Sequence, residues 1–89
     1  MNIKIVYNNK FKDLLNLKLD FPDIKIDFYD DEYFKHQRKS IMLKAGLGTK
    51  LTPFCVLYNE DNTPIKCFYS EVNECNYETI KKYIYEYNK

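Results

Sequence analysis

The residues of this chain that could do chemistry are three cysteines, Cys55, Cys67 and Cys75, one histidine, His36, and the acidic run Asp30, Asp31 and Glu32. The cysteines are odd in number and have no C-x-x-C spacing, so in a reducing compartment they read first as small buried hydrophobes. Cys55 and Cys67 lie on two β-rich runs that form a hairpin, which would bring them close across a sheet. An apolar neighbourhood there would raise their pKa and leave them inert. Cys75, in the segment YSEVNEC just before a helix, has a better claim to exposure and is the candidate reactive thiol, although nothing supplies a resolving partner. His36, flanked by Lys35, Gln37 and Arg38, reads as a solvated helix residue rather than a base. A single histidine with scattered cysteines makes no zinc site, and no Ser-His-Asp set can be assembled around it. The acidic run suits a helix start, where carboxylates meet the positive end of the dipole. With two glycines in the chain there is no phosphate-cradling loop. No metal and no cofactor is expected.

The elements that must position these residues are legible from periodicity. NIKIVYN alternates, with Ile3, Ile5 and Tyr7 on one face and Asn2, Lys4 and Asn8 mostly on the other, and reads as a strand. FKDLLNLKL follows as a short amphipathic helix with Phe11, Leu14, Leu15 and Lys18 at helical spacing, Asn9 as its cap and Phe21-Pro22 as its stop. IKIDFY, residues 24–29, is a second strand with Ile24, Ile26 and Phe28 on one face. A second helix comes after the acidic run, with Phe34, Arg38, Ile41 and Ala45 on one face, Tyr33 and Met42 beside it, and Gly46 or Gly48 at its end.

PFCVLYNEDNTPIKCFY is a hairpin of two strands around a loop of about four to six residues. Its first strand is apolar throughout, as one buried on both faces would be, and its second, with Lys66 after Pro64, suits an edge. Asn76 caps a last helix on which Ile80, Tyr83, Ile84 and Tyr87 should face a core. Tyr83 and Tyr87 then read as partly buried rings, while Tyr85 lies off that face and is the better contact residue. The order is β-α-β-α-β-β-α: an α/β fold in one domain, residues 1–89. The first two strands run parallel through a crossover helix and the last two antiparallel, in a four-stranded mixed sheet with helices on both faces.

Composition narrows the function classes. Of the 89 residues, 45% are apolar and 30% charged, enough for one compact core without cross-links. The net charge is +1 with the two signs interspersed, and Arg38 is the only arginine, so nucleic-acid binding is not expected. The first residues, MNIKIVYNN, do not read as a signal peptide, and no apolar run approaches the roughly 20 residues that span a bilayer, so a cytoplasmic protein without a membrane partner is expected.

The element order together with Gly48-Thr-Lys-Leu-Thr-Pro53 resembles the thioredoxin and glutaredoxin family. The segment from Asp27 to Ile65 looks like that family's second strand with its trailing acidic residue, second helix, glycine, and Thr-Pro opening the third strand. The resemblance implies that the Thr52-Pro53 bond is cis, whereas read on its own the proline would be an ordinary trans residue at the start of a strand. With a cis bond, the backbone of Thr52 would pair with an extended peptide or glutathione. The chain departs from the family at one decisive place. Where the family carries C-x-x-C at the end of the first strand, this sequence reads Tyr7-Asn8-Asn9-Lys10. Without a thiolate there, the exchange chemistry has no nucleophile.

The expectation is therefore a redox-inactive thioredoxin-like domain that binds another protein or copies of itself. Its contact residues would be Tyr7, Asn8, Asn9, Leu51, Thr52 and Pro53, or an exposed sheet edge. Its size, with the AT-rich genome that its heavy use of Lys, Asn, Ile and Tyr suggests, suits an accessory or structural component of a larger assembly, including a viral particle. The alternative is an atypical thiol oxidoreductase or glutathione-binding protein that uses Cys75 or Cys55.

Overall fold

The computed structural model describes residues 1–30, 32, 35–44, 53–69 and 74–87, with the backbone alone at 9–12, 35 and 38. Its strands are β1 (Asn2–Tyr7), β2 (Lys25–Asp30), β3 (Phe54–Tyr58) and β4 (Pro64–Tyr69). Between β1 and β2 the chain winds a 3₁₀ helix (Asn9–Asn16) into one α-helical turn, α1 (Leu17–Asp20); α2 spans Lys35–Lys44 and α3 Tyr77–Tyr87. The sheet is mixed, in the order β2-β1-β3-β4, with β1 parallel to β2 and antiparallel to β3, and β3 antiparallel to β4.

Alternation of side chains divides the core into two layers. Ile3 and Ile5 of β1, Ile26 of β2, Cys55 and Leu57 of β3 and Phe68 of β4 form one layer, covered by Leu14, Leu17, Phe21, Ile80 and Ile84. Val6, Phe54, Val56 and Tyr58 form the other, covered by Ile41 and Met42 of α2. The first helical segment and α3 therefore share one face of the sheet, and α2 lies on the other. All five residues of β3 are buried, in keeping with its unbroken apolar run, and β4 is an edge strand.

The first helical segment departs from the α-helix that the sequence predicts. Its buried residues are Leu14 and Leu17, whereas Leu15 and Lys18 are exposed. A spacing of three aligns side chains on a 3₁₀ helix, which has three residues per turn, so this core contact favours the tighter winding. At its end the Phe21 N–H donates to the Leu17 carbonyl at 3.0 Å, and Pro22 comes next. Of the face expected on α2, Ile41 and Met42 are buried as read. Tyr33, Phe34, Ala45, Gly46 and Gly48 lie outside the described residues, as do the side chains of Asn9, Phe11 and Arg38.

The β3–β4 hairpin turns at residues 59–63. Asn59 Oδ1 accepts from the backbone N–H of Thr63 at 2.9 Å and of Asp61 at 3.2 Å, and Asn62 takes the left-handed conformation (φ 65°) that asparagine tolerates. Asn76 caps α3 as its sequence position predicts, with its Oδ1 accepting from the Thr79 N–H at 2.9 Å. Ile80 and Ile84 are fully buried and Tyr83 half-buried. Tyr87, expected on the same inner face, is the last residue of α3 and is 50% exposed, stacked on Tyr83 at 6.3 Å instead of packed on the sheet.

Candidate functional site

The sequence places its candidate site at the C-terminal end of β1, and the strand register brings two of its parts together. Val6 pairs with Phe54, so Tyr7 and Pro53, the next residues outward, lie side by side at that end of the sheet. Tyr7 and Asn8 are half-buried, and the Tyr7 ring meets Phe28 edge-on at 6.3 Å. Pro53 is fully buried, so its ring belongs to the floor beneath this end rather than to a contact surface. Leu51 and Thr52, and with them the Thr52-Pro53 peptide bond, lie outside the described residues, as does the Asn9 side chain.

No cysteine is near this end on the exposed side. Cys55 points into the layer under the first helix and α3, with no exposed surface, and burial pushes its thiol well above the ordinary range, with the nearby Cys75 and Cys67 adding to the effect. Cys75, expected to be exposed, is instead 3% exposed in the same layer. Its backbone N–H donates to the Tyr69 carbonyl at 3.3 Å, which draws the residue under the end of β4. Burial, with a smaller contribution from Asp13, raises its thiol to about 12. The expected approach of Cys55 to Cys67 also needs correcting. Cys55 stands opposite Phe68 and Cys67 opposite Val56, so a one-residue offset sends the two thiols to opposite faces of the sheet. All three cysteines are free. His36 is exposed on α2, and among the described residues no group of three His, Cys, Asp or Glu side chains could hold a metal ion. Likewise, no helix among them is long and apolar enough to cross a membrane.

A second concavity runs along the sheet from Asn2, at the opposite end of β1, to Tyr29, the register partner of Val6. It is an open groove of ≈ 490 Å³ on the α2 face, and it gathers Lys4, Lys25, Asp27, Tyr29 and Tyr58 from the sheet with Lys44 from the last turn of α2. The Lys4 ammonium lies 5.5 Å from the centre of the Tyr58 ring. Burial holds the Tyr58 and Tyr29 hydroxyls above the ordinary phenol range, so both stay protonated near neutral pH. The sequence carried a signal for this groove: Lys4 on β1 and Lys25 and Asp27 on β2 occupy the polar phase of their alternations. That phase reads as a solvated face until parallel pairing sets Lys4 beside Asp27 and Asn2 beside Lys25.

Comparison with protein-family models, curated proteins and solved structures finds no match to the chain.

Proposed function

We propose that this protein is a thioredoxin-like domain without thiol chemistry that acts by binding another protein or a second copy of itself, as an accessory or structural component of a larger assembly. The strand order β2-β1-β3-β4, with a parallel first pair and a terminal hairpin, supports the fold part of this reading. The observation that carries the functional part is the placement of the cysteines. The end of β1, where exchange chemistry needs a thiolate, presents Tyr7 and Asn8, while Cys55 and Cys75 are buried as neutral thiols. A buried thiol raised this far supplies almost no thiolate at neutral pH. The contact surface would be Tyr7, Asn8 and Asn9 with the neighbouring segment Leu51-Thr52-Pro53, in which Pro53 acts from beneath.

The test is thiol labelling of the native protein against pH, with mass spectrometry to locate the label. Cys55 and Cys75 should react only on unfolding, and a Cys55→Ala, Cys67→Ala, Cys75→Ala variant that folds should keep any partner binding. Rapid labelling of either residue near neutral pH would overturn the proposal in favour of a thiol enzyme. For the surface, a photo-cross-linking residue at Tyr7 should capture a partner or a second copy. The same residue at the exposed Lys82 of α3 should not, and equal yields would remove Tyr7 from the interface.

A further inference from the structure

We propose that the groove at the N-terminal end of β1 binds a small phosphate monoester carrying a flat ring, of the mononucleotide class. It lies on the opposite face of the sheet from the Tyr7 ring and stands independently of the binding role assigned there.

The first argument is charge. Among the described residues, Lys4, Lys25 and Lys44 bring three ammonium groups to the groove and Asp27 brings one carboxylate, an excess of two positive charges (3 − 1) in a chain whose total is only +1. Asp27 is the register neighbour of Lys4 and stands two residues along β2 from Lys25, so its one charge offsets one of the three. The ion pairs among the described residues join the Met1 ammonium to Glu60 and Lys81 to Asp20, and none of Lys4, Lys25, Lys44 and Asp27 takes part in one. Lys44 has an ordinary role at the negative end of the α2 dipole, but that role does not account for Lys25 on the facing strand. An excess of two positive charges matches a phosphate monoester, which carries about −1.5 to −2 charges at pH 7. A single carboxylate would leave half of that excess unmet. Lysine also serves as a point-charge partner for phosphate in a chain nearly devoid of arginine.

Shape and walls supply the second argument. The groove falls within the range of roughly 300–1,000 Å³ typical of small-ligand sites. The buried Tyr58 and half-buried Tyr29 line the groove beside the lysines and give it aromatic surface, and the Tyr58 hydroxyl, held protonated by burial, is a donor for phosphate or ring acceptors. Phosphate alone would use the lysines and leave this aromatic wall idle. An extended polyanion would need a basic track continuing beyond the groove, which the interspersed charges of the chain do not offer.

Calorimetric titration of the full chain with AMP, adenosine and inorganic phosphate tests the assignment, alongside a Lys25→Gln, Lys44→Gln variant whose fold is checked by circular dichroism. Both lysines are exposed, so the variant should fold. AMP should bind at least about tenfold more tightly than either fragment, and the double substitution should weaken it at least about tenfold, since each charge-assisted contact contributes roughly that much. Three results would overturn the proposal: no binding of AMP at millimolar concentration, binding that the variant leaves unchanged, or equal affinity for AMP and inorganic phosphate. A fourth, tighter binding of poly-glutamate than of AMP in a parallel titration, would overturn it in favour of an acidic protein partner.

Discussion

Under the first helical segment and α3, the sheet buries Ile3, Ile5, Cys55 and Leu57 completely, and five residues from the helical layer close over them. On the other face the dry zone runs through Val6, Phe54 and Val56 and then gives way, at Lys4 and Lys25, to an open groove. The two faces are made by the same four strands and differ only in the phase of the alternation. On β1, the residues of odd number are aliphatic or aromatic from Ile3 to Tyr7, whereas those of even number run Asn2, Lys4, Val6. One face can thus be filled to its ends, and the other can be covered only where Val6 meets α2. The closed face holds the fold together, and the open one keeps surface free for a ligand.

The largest expected effect tests the closed face. Phe68 is 2% exposed, with Tyr83 packed edge-on against its ring at 5.5 Å. Phe68→Ala should cost about 3–5 kcal/mol in urea denaturation, since the cavity adds to the lost burial. In a domain this small that could leave the chain largely unfolded. A cost under about 1 kcal/mol would mean that this layer is loosely packed and that the contrast between the faces is false.

Next in size is an alkaline weakness built into the same layer. The Cys75 thiol has its folded-state pKa raised to about 12, above its ordinary value, so the folded state holds a proton that the unfolded chain releases. Between about pH 9 and 12 stability must therefore fall as pH rises, by up to about 1.4 kcal/mol per pH unit for one such group, and below about pH 8 the contribution is constant. Cys55, raised in the same direction, adds to the slope. Cys75→Ala should flatten the curve of stability against pH in that window, whatever its constant cost. An unchanged slope would place Cys75 in contact with water.

Smaller again is the cap of α3, which fixes how the closed face is covered. Replacing Asn76 by Ala removes the bond to the Thr79 N–H and should cost about 1 kcal/mol, read from the denaturation midpoint. A loss below about 0.2 kcal/mol would show that α3 is held by the packing of Ile80, Tyr83 and Ile84 and not by its cap.

The same division separates what was legible in the sequence from what was not. The strands, the hairpin, the Asn76 cap and the burial of Ile80 and Ile84 rest on local periodicity and side-chain chemistry, which a sequence displays directly. The winding of the first helix was less plain, because Leu14 and Leu17 compete with a pattern through Leu15 and Lys18 that only contact with the sheet decides. Cys75 misled for a related reason: the sequence around it is polar, but the bond from its N–H to the Tyr69 carbonyl goes with a side chain buried in the core. The groove was hidden because its lysines come from residues 4, 25 and 44, and their convergence depends on parallel register and on where α2 ends.

The smallest expected effect is the most discriminating for the open face. An exposed lysine substitution ordinarily shifts stability by less than about 0.5 kcal/mol in either direction, so magnitude decides little and sign decides much. If Lys25 stands among like charges without a partner, Lys25→Gln relieves repulsion and should raise stability slightly at low ionic strength. The gain should vanish near 0.5 M salt, where screening shortens the reach of each charge to a few ångströms. Were Lys25 held in an ion pair, the same substitution would lower stability at low salt instead. Denaturation of the two proteins at both salt concentrations distinguishes these cases, because the salt dependence of the difference cancels whatever salt does to the rest of the chain. A small stabilisation that salt removes is the signature of charge gathered for something other than folding.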